Sequence, residues 1–514
     1  MFKLSKLTRK INVKIFLSLG IVFLIGFLLR VINLDNNPLG FFCDEASIGY
    51  NAYSLLKTGK DEFGNSWPIF FRAFGEYKNP ILIYSAIIPV RFLGLNEKAV
   101  RLTSAFYGVL TILAVYFLAR QLEGRKTGFW SAFLLAISPW HIHFSRTALE
   151  GLMPFVFFTT TGAYFWLTYR QKNKNFFKAV FSFALALYSY FPARLFIPLF
   201  CGSLAFQARQ QLWKNKKKLF FGFLLVLVLI FPLFDHTFFG PGFSRWHQVV
   251  EQKAPLEFLK LYWDHFSADF LFFLGDASFP GQFITRHSLI KRGELFLFQV
   301  PFLIAGLWAL LRKSSSVKEI LIFWLLFYPV GTIFTQAPGP QATRSIIGVI
   351  PFQIISAMGI MTSLKWLRKK INRKVIFTLA KGAIYAVIIF SFIDYLFAYK
   401  NYPLYSADYW GWQYGPKPII SYFLKVYPQY DQLIMTDSFN APQIFLRFYD
   451  PDGKCPSCRV GNLTALNPQL SQLFAIRAEE EKNWQEKSIP YQVKERIFYP
   501  SGQLAFLLIE PFGK

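Results

Sequence analysis

The sequence predicts a polytopic α-helical membrane protein that ends in a small α/β domain. First, hydrophobic residues make up 54% of the 514 residues and charged residues only 17%, which is too apolar for a soluble protein of this length. Second, long apolar runs alternate with short gaps rich in Lys and Arg, a pattern typical of cytoplasmic loops between membrane spans. Third, the composition changes near residue 400, where charges of both signs appear.

The formal net charge of +27 could indicate nucleic-acid binding. The cations cluster in gaps between apolar runs, however, and this placement favours the positive-inside rule over a binding face. We therefore expect a lipid bilayer as a partner and no nucleic acid. The basic residues 1–14 precede an apolar run without a small-residue cleavage site, so we interpret this segment as an uncleaved signal anchor.

Eleven apolar segments are candidate spans, although several are shorter than the ~20 residues that a straight span needs. They are 15–34, 99–119, 127–140, 148–169, 177–191, 193–207, 219–235, 294–311, 319–335, 345–364 and 375–397.

The segment 80–95 is ambiguous, because Pro89 and Arg91 interrupt it. If it does not cross the membrane, all six basic gaps fall on one side: 3–14, 120–126, 170–178, 209–218, 312–318 and 365–374. This arrangement of eleven spans, with 12–13 as the alternative, places the N-terminus in the cytoplasm and the C-terminal domain outside the cell membrane. Residues 1–399 then form the membrane domain.

The outer gap 35–79 carries an adjacent Asp44 and Glu45 at the start of a predicted amphipathic helix. Its apolar stripe consists of Ile48, Ala52, Leu55 and Leu56, which share one helix face. Asp44 is predicted as the N-cap and Gly59 as the stop. We expect this helix to lie along the bilayer surface, which makes the Asp-Glu pair the first candidate for chemistry.

Three further outer gaps carry polar residues within aromatic surroundings. The gap 138–147 contains His141, His143 and Arg146. The gap 236–293 contains Asp276, Arg286 and His287, and Arg344 ends the gap 336–344. The alternatives are structural: an interfacial aromatic turn, a surface helix in the long loop, and an arginine that snorkels to the interface.

Residues 400–514 are predicted to form an extracytoplasmic α/β domain of about 115 residues, large enough to fold alone. Residues 432–436 and 504–509 have the composition of strands, and residues 442–448 that of a helix start. Cys455 and Cys458 form a Cys-x-x-Cys pattern. Outside the cytoplasm a local disulfide is the leading interpretation, with a redox site or half of a zinc site as the alternative.

The order of these features resembles the GT-C superfamily of polytopic glycosyltransferases, especially protein O-mannosyltransferases and lipid A aminoarabinose transferases. A first span is followed by an outer loop with Asp44-Glu45 and then by Glu76-Tyr77-Lys78-Asn79-Pro80, where the family often has Glu-Lys-Pro or Lys-Pro-Pro. Further matching stretches are 93–102, 138–146, 266–287 and 342–345. The resemblance covers about residues 12–350.

This resemblance implies that a sugar, hexosyl or pentosyl, moves from a polyprenyl-phosphate donor to a hydroxyl of a protein, lipid or glycan acceptor on the outer face. Asp44 or Glu45 would take the proton of that hydroxyl. The departing lipid phosphate needs fixed cations, and the candidates are Lys78, Arg101, Arg146, Arg286 and Arg344. One carboxylate without a paired nucleophile favours single displacement with inversion.

Other residues could contact the substrate or a divalent metal: Glu76, Tyr77, His141, His143, Asp276 and His287. No spacing among them enforces a metal site, and the chemistry requires no cofactor.

Two other classes of protein stay open. A transporter or flippase of lipid-linked sugars would show charges within spans and internal repeats, and a non-catalytic scaffold would use the Asp-Glu pair only as a helix cap.

Overall fold

A computed structural model of the chain describes residues 13–243, 253–313 and 316–512. Its first half is helical, with α1 (Val13–Val31), α2 (Cys43–Thr58), α3 (Pro80–Leu93), α4 (Glu97–Glu123), α5 (Arg125–Ile137), α6 (Pro139–Ser145), α7 (Leu152–Lys172), α8 (Phe176–Leu187), α9 (Ala193–Gln207), α10 (Arg209–Lys214) and α11 (Lys216–Phe238). A hairpin of β1 (Phe71–Ala73) and β2 (Glu76–Lys78) interrupts this series.

The second half continues with α12 (Pro255–Asp264), α13 (Gln299–Leu311), α14 (Ser316–Phe327), α15 (Val330–Ile333), α16 (Val349–Lys370), α17 (Lys374–Lys400), α18 (Pro403–Ser406), α19 (Pro416–Val426), α20 (Gln443–Tyr449) and α21 (Glu481–Glu486). Its strands are β3 (Gln432–Thr436), β4 (Cys458–Gly461), β5 (Gln472–Arg477), β6 (Tyr491–Phe498) and β7 (Leu504–Pro511). Asp269–Phe273 forms a π-helical turn.

Each predicted span coincides with a helix or a pair of short helices, because long apolar runs satisfy their backbone hydrogen bonds internally. Among the described residues, four helical segments are long and apolar enough to cross a membrane: Glu97–Glu123, Lys216–Phe238, Ile346–Lys370 and Lys374–Lys400. The ambiguous segment 80–95 is α3, a 14-residue helix with Pro89 inside it. The count of eleven spans and the side of each terminus stay predictions.

Three predicted segments fall partly outside the described residues: the basic gap 3–14, the middle of the outer loop 236–293 and part of the basic gap 312–318.

The helices of the membrane domain form a bundle in which α4 packs against α1, α3, α5 and α7, and α16 packs against α5 and α13. These contacts bring the outer gaps together at the end of the bundle where α4 begins.

Helix α2 forms where predicted, but its first turn differs from the prediction. Phe42 is the N-cap, and Asp44 is the second residue of the helix, so the assignment of Asp44 as the cap was wrong. Gly59 ends the helix in the left-handed conformation, with φ 70°, as predicted. The helix is covered by α3, α4 and α20, so protein encloses it on several sides, and its position along a bilayer surface stays a prediction.

The hairpin β1–β2 places Lys78 at the outer end of the bundle. Phe74 and Gly75 both have positive φ, 53° and 80°, as a two-residue type I′ turn requires. Because strand side chains alternate, Glu76 and Lys78 face inward and are buried, whereas Tyr77 lies on the other face. Pro80 then begins α3 at a position where its missing N–H costs nothing.

The C-terminal region contains a five-stranded sheet with the order β4-β3-β5-β7-β6. The pairs β3–β4 and β3–β5 are parallel, and β5–β7 and β6–β7 are antiparallel. The predicted strands 432–436 and 504–509 and the predicted helix start at 442–448 are present. Cys455 and Cys458 form a disulfide, as the leading interpretation expected. Whether this region folds alone stays a prediction.

Candidate active site

Asp44 and Lys78 form an ion pair at the outer end of the bundle. The ammonium of Lys78 donates to Oδ1 of Asp44, which joins the first turn of α2 to the end of β2. The Lys78 side chain is 4% exposed and the Asp44 side chain 20%, so solvent reaches the carboxylate. Burial lowers the pKa of Lys78, but the negative charges of Asp44 and Glu150 outweigh it, and the pKa is raised overall.

Glu45, the next residue, is fully buried and saturated with hydrogen bonds. Its Oε1 accepts from Nε of Arg101 at 3.0 Å and from the backbone N–H of Ala148 at 2.8 Å. Its Oε2 accepts from Nη2 of Arg101 at 2.9 Å and from the N–H of Phe42 at 3.3 Å. A carboxylate in this state holds the start of α2 in place and offers no surface to a substrate.

Arg101 is equally occupied. Besides Glu45, its guanidinium donates to the carbonyls of Leu34, Pro38 and Gly40 at 3.0, 2.7 and 2.6 Å. All five of its N–H groups are therefore used inside the protein. Arg101 ties the loop after α1 to α4, and the structure does not bring it to an open surface where a donor phosphate could bind.

Arg146 and His141 also lie in internal networks. Arg146 is buried and donates to the carbonyls of Leu29, Asn33 and Asn37. His141 is fully buried, and its Nδ1 accepts from Nη2 of Arg30 at 2.7 Å. Both residues therefore brace the end of α1 against α6.

Arg286 lies near Asp44 and Arg344 lies near Glu150, and their loops are joined to each other. The guanidinium of Arg286 stacks 4.1 Å from the ring centroid of Phe42, two residues before Asp44 in the sequence, and donates to the carbonyl of Trp410. Burial lowers the pKa of Arg286, and Asp44 partly opposes this shift. Arg344 donates to Oγ1 of Thr335.

Asp276 joins these two loops. Its Oδ2 accepts from the N–H of Ala342 at 2.7 Å and lies 3.3 Å from Nδ1 of His287. His143 supports the same region, since its Nε2 donates to the carbonyl of Arg286 at 2.8 Å. Burial lowers the pKa of His143 to about 4. His143 and His287 thus position the backbone that carries Arg286.

The residues named as possible substrate or metal contacts have different partners in the structure. His141 contacts Arg30, His143 contacts Arg286, and His287 contacts Asp276. Glu76 is buried in the hairpin. Within the described ranges no three residues among His, Cys, Asp and Glu form a group that could hold a metal ion.

Glu150 is a site residue that the sequence reasoning missed. It lies in the connection before α7, close to Lys78, and both line a small crevice with Glu76 and Tyr77. Burial and the negative charge of Asp44 raise the pKa of Glu150 to about 7. The cations nearby act in the opposite sense. The available signal was a carboxylate at the edge of the apolar run 148–169, where charged residues are rare and functional.

Arg194 was also missed. It is the second residue of α9, and its Nη2 donates to Oδ1 of Asn79 at 3.1 Å, one residue beyond Lys78. Its positive charge acts on Glu150, so it belongs to the same cluster. The sequence offered the same kind of signal, an arginine at the edge of an apolar run.

The C-terminal region contacts the start of α4 and the loop after α2. Lys417 and Tyr449 both donate to the carboxylate of Glu97 at the start of α4, at 2.8 and 2.5 Å. Arg447 pairs with Glu62 in the loop after α2. These contacts clamp α2, and hence Asp44, between α4 and the C-terminal region.

Solved structures of two glycosyltransferases resemble this architecture along nearly the whole chain. ArnT from Cupriavidus metallidurans bound to undecaprenyl phosphate gives a TM-score of 0.58 at 12% identity, covering 97% of this chain and 98% of ArnT. The oligosaccharyltransferase AglB from Archaeoglobus fulgidus, in complex with an inhibitory peptide and a dolichol-phosphate, gives 0.51 at 14% identity, covering 96% and 74%. The chain therefore has the GT-C fold, which confirms the resemblance seen in its sequence.

A narrower similarity covers part of the membrane domain. Residues 78–234 match the family model of dolichyl-phosphate-mannose-protein mannosyltransferase. An uncharacterized protein of Aquifex aeolicus (strain VF5) is 30% identical over 169 residues, which are 32% of this chain and 33% of that relative. The chain thus matches about a third of the length of this relative.

Proposed function

We propose that the protein is a membrane glycosyltransferase that moves a sugar from a polyprenyl-phosphate donor to a hydroxyl of a protein, lipid or glycan acceptor on the outer face of the membrane. The observation that carries the proposal is the partly exposed carboxylate of Asp44, paired with Lys78 beside Arg286 and Arg344. A base next to several cations suits the transfer of a glycosyl group away from a phosphate. The GT-C fold supports this class.

In the proposed reaction the acceptor oxygen attacks the anomeric carbon while Asp44 takes the hydroxyl proton. The bond between that carbon and the phosphate oxygen breaks, and polyprenyl phosphate leaves with the electron pair. Lys78, Arg286 and Arg344 stabilise its growing charge. A single displacement of this kind inverts the configuration of the anomeric carbon.

The ion pair also suggests the order of events. Lys78 favours the ionised form of Asp44 while the two are in contact. A donor phosphate would compete for the same ammonium, because a phosphate accepts strong charge-assisted hydrogen bonds. Donor binding would then release Asp44 from this contact and leave its oxygen available to the acceptor hydroxyl.

The buried residues of the cluster have supporting roles in this proposal. Glu45, Arg101 and Arg146 position the outer loop, and the two arginines are not donor ligands in this proposal because their N–H groups are used internally. Glu150 is a second carboxylate at the site and would hydrogen-bond the transferred sugar.

The test is incubation of the purified full chain with a panel of polyprenyl-phosphate sugars and candidate acceptors. We expect at least one donor to release free polyprenyl phosphate, and a substitution at Asp44 to abolish this release. Donor binding without release in any combination would contradict the proposal. Transfer of intact donor between leaflets of a proteoliposome would instead indicate a flippase.

A further inference from the structure

A basic cleft of about 460 Å³ lies at the end of the bundle opposite Asp44. It is enclosed by the starts of α1, α5 and α17 and the end of α16. Its cations are Arg125, Lys126, Lys365, Arg368 and Lys381. The proposed reaction uses none of these residues.

Among the described residues, no carboxylate neutralises the cations of the basic cleft. No described Asp or Glu lines it, and none of its five cations forms an ion pair with another described residue. The neighbouring Lys313, by contrast, pairs with Glu123 at the end of α4. Converging cations without a counter-charge favour an anionic ligand.

The inner wall of the basic cleft is aromatic. The rings of Trp130 and Tyr385 stack with their centroids 5.8 Å apart and their planes at 15°, and Nζ of Lys381 lies 5.4 Å from the Tyr385 centroid. Phe129 and Phe377 extend this wall. The ligand that fits it therefore has an apolar part next to its charge.

The position of the basic cleft matches a membrane surface. Helix α4 carries Arg101, beside Glu45, in its second turn and ends at Glu123, two residues before Arg125. The part of the helix from Arg101 to Glu123 spans ~35 Å, slightly more than the ~30 Å hydrocarbon core of a bilayer. Near the cleft, α17 exposes apolar side chains such as Leu379, which is 67% exposed, and these suit contact with lipid.

We infer that the basic cleft binds an anionic glycerophospholipid of the leaflet opposite the active site, which the positive-inside rule assigns to the cytoplasm. Its phosphodiester lies among the five cations, and the first part of an acyl chain lies against Trp130 and Tyr385. Basic pockets between membrane helices on the cytoplasmic side are known sites for anionic lipid head groups. A zwitterionic lipid fits worse, because its own cation would face the same five charges.

The experiment measures lipid binding, so it is independent of glycosyl transfer. The full chain, purified in detergent, is mixed with equal amounts of a phosphatidylglycerol and a phosphatidylcholine of the same acyl chains, and bound lipid is counted by native mass spectrometry. The test variant is Lys365→Gln/Arg368→Gln/Lys381→Gln. The matched control is Lys214→Gln/Lys216→Gln/Lys217→Gln, which removes the same charge from exposed residues of another basic gap that line no part of the cleft.

We expect the wild-type chain and the control to prefer phosphatidylglycerol, and the test variant to bind it roughly tenfold or more weakly. Equal binding of the two lipids, or an equal loss in both variants, would overturn the inference. Glycerol 3-phosphate is added in a further arm, and displacement of the lipid by this soluble phosphate at equal concentration would also overturn it. If the triple variant does not fold, the three single substitutions are compared in the same way.

Discussion

The ammonium of Lys78 contacts the carboxylate of Asp44 although 34 residues separate them in the sequence. One residue lies in the first turn of a helix and the other at the end of a short strand. Their contact pairs a partly exposed carboxylate with a buried cation, at the end of the bundle where α4 begins.

Asp44→Asn is expected to lower the rate of sugar transfer by roughly 10²–10⁴-fold, the usual contribution of a general base, while the protein stays folded and binds donor. Asparagine keeps the shape of the side chain but cannot take up the proton. The measurement is release of polyprenyl phosphate by purified protein. Asp35→Asn, in the same outer loop, is the matched control, and an Asp44→Asn enzyme with the wild-type rate would remove Asp44 from the mechanism.

Replacing Lys78, Arg286 or Arg344 by Gln is expected to weaken donor binding, because each loss removes a charge-assisted contact worth roughly 1.5–3 kcal/mol. Binding is measured by titration with a lipid-linked sugar. Arg72→Gln is the control, since Arg72 is exposed on the hairpin that carries Lys78. Unchanged affinity in all three variants would show that the phosphate binds elsewhere.

Glu45→Gln is expected to lower the stability of the protein without a direct effect on its affinity for the donor. It leaves the charge of Arg101 buried without a counter-charge, and breaking such a pair costs about 3–5 kcal/mol. Thermal unfolding of Glu45→Gln, Arg101→Gln and the double variant should reveal strong coupling. If Arg101→Gln instead weakens donor binding at unchanged stability, Arg101 is a phosphate ligand after all.

Glu150 is expected to make stability depend on pH between about 4.5 and about 7, its ordinary and its raised pKa. The folded protein keeps the proton in this window while the unfolded chain has lost it. The contribution of Glu150 to the free energy of unfolding is therefore fully present below its ordinary pKa and is lost as the pH rises through its raised pKa. The difference in unfolding midpoint between wild type and Glu150→Gln should change across this window, and the exposed Glu257→Gln should show no such change.

The predicted topology is tested with alkaline phosphatase, which is active only outside the cytoplasm, fused after Lys514. An active fusion is expected, because all six basic gaps fall on one side when eleven segments cross. A fusion after Lys172, in the basic gap 170–178, should be silent and serves as the control. A silent fusion at Lys514 in a well-expressed protein would reverse the orientation proposed for the active site.

The sequence alone was sufficient for the helices and for much of the fold class. Apolar runs that are nearly long enough to cross a bilayer form helices regardless of the neighbouring segments. In lipid, their backbone groups have no other hydrogen-bonding partner. The stop at Gly59 was equally local, since it depends on a residue that accepts positive φ. The order of the outer motifs was enough to indicate the GT-C fold.

Only the tertiary structure distinguished the residues that position the candidate site from those whose side chains a substrate could reach. Asp44 and Glu45 look equivalent in the sequence, yet one is partly exposed and the other is saturated by Arg101 and two backbone N–H groups. Arg101 and Arg286 are likewise both outer arginines. Their difference depends on contacts between segments tens of residues apart, and no local pattern encodes such contacts. Glu150 enters the cluster for the same reason: packing brings the start of α7 beside α2 and raises the pKa of a carboxylate that the sequence places in an apolar run.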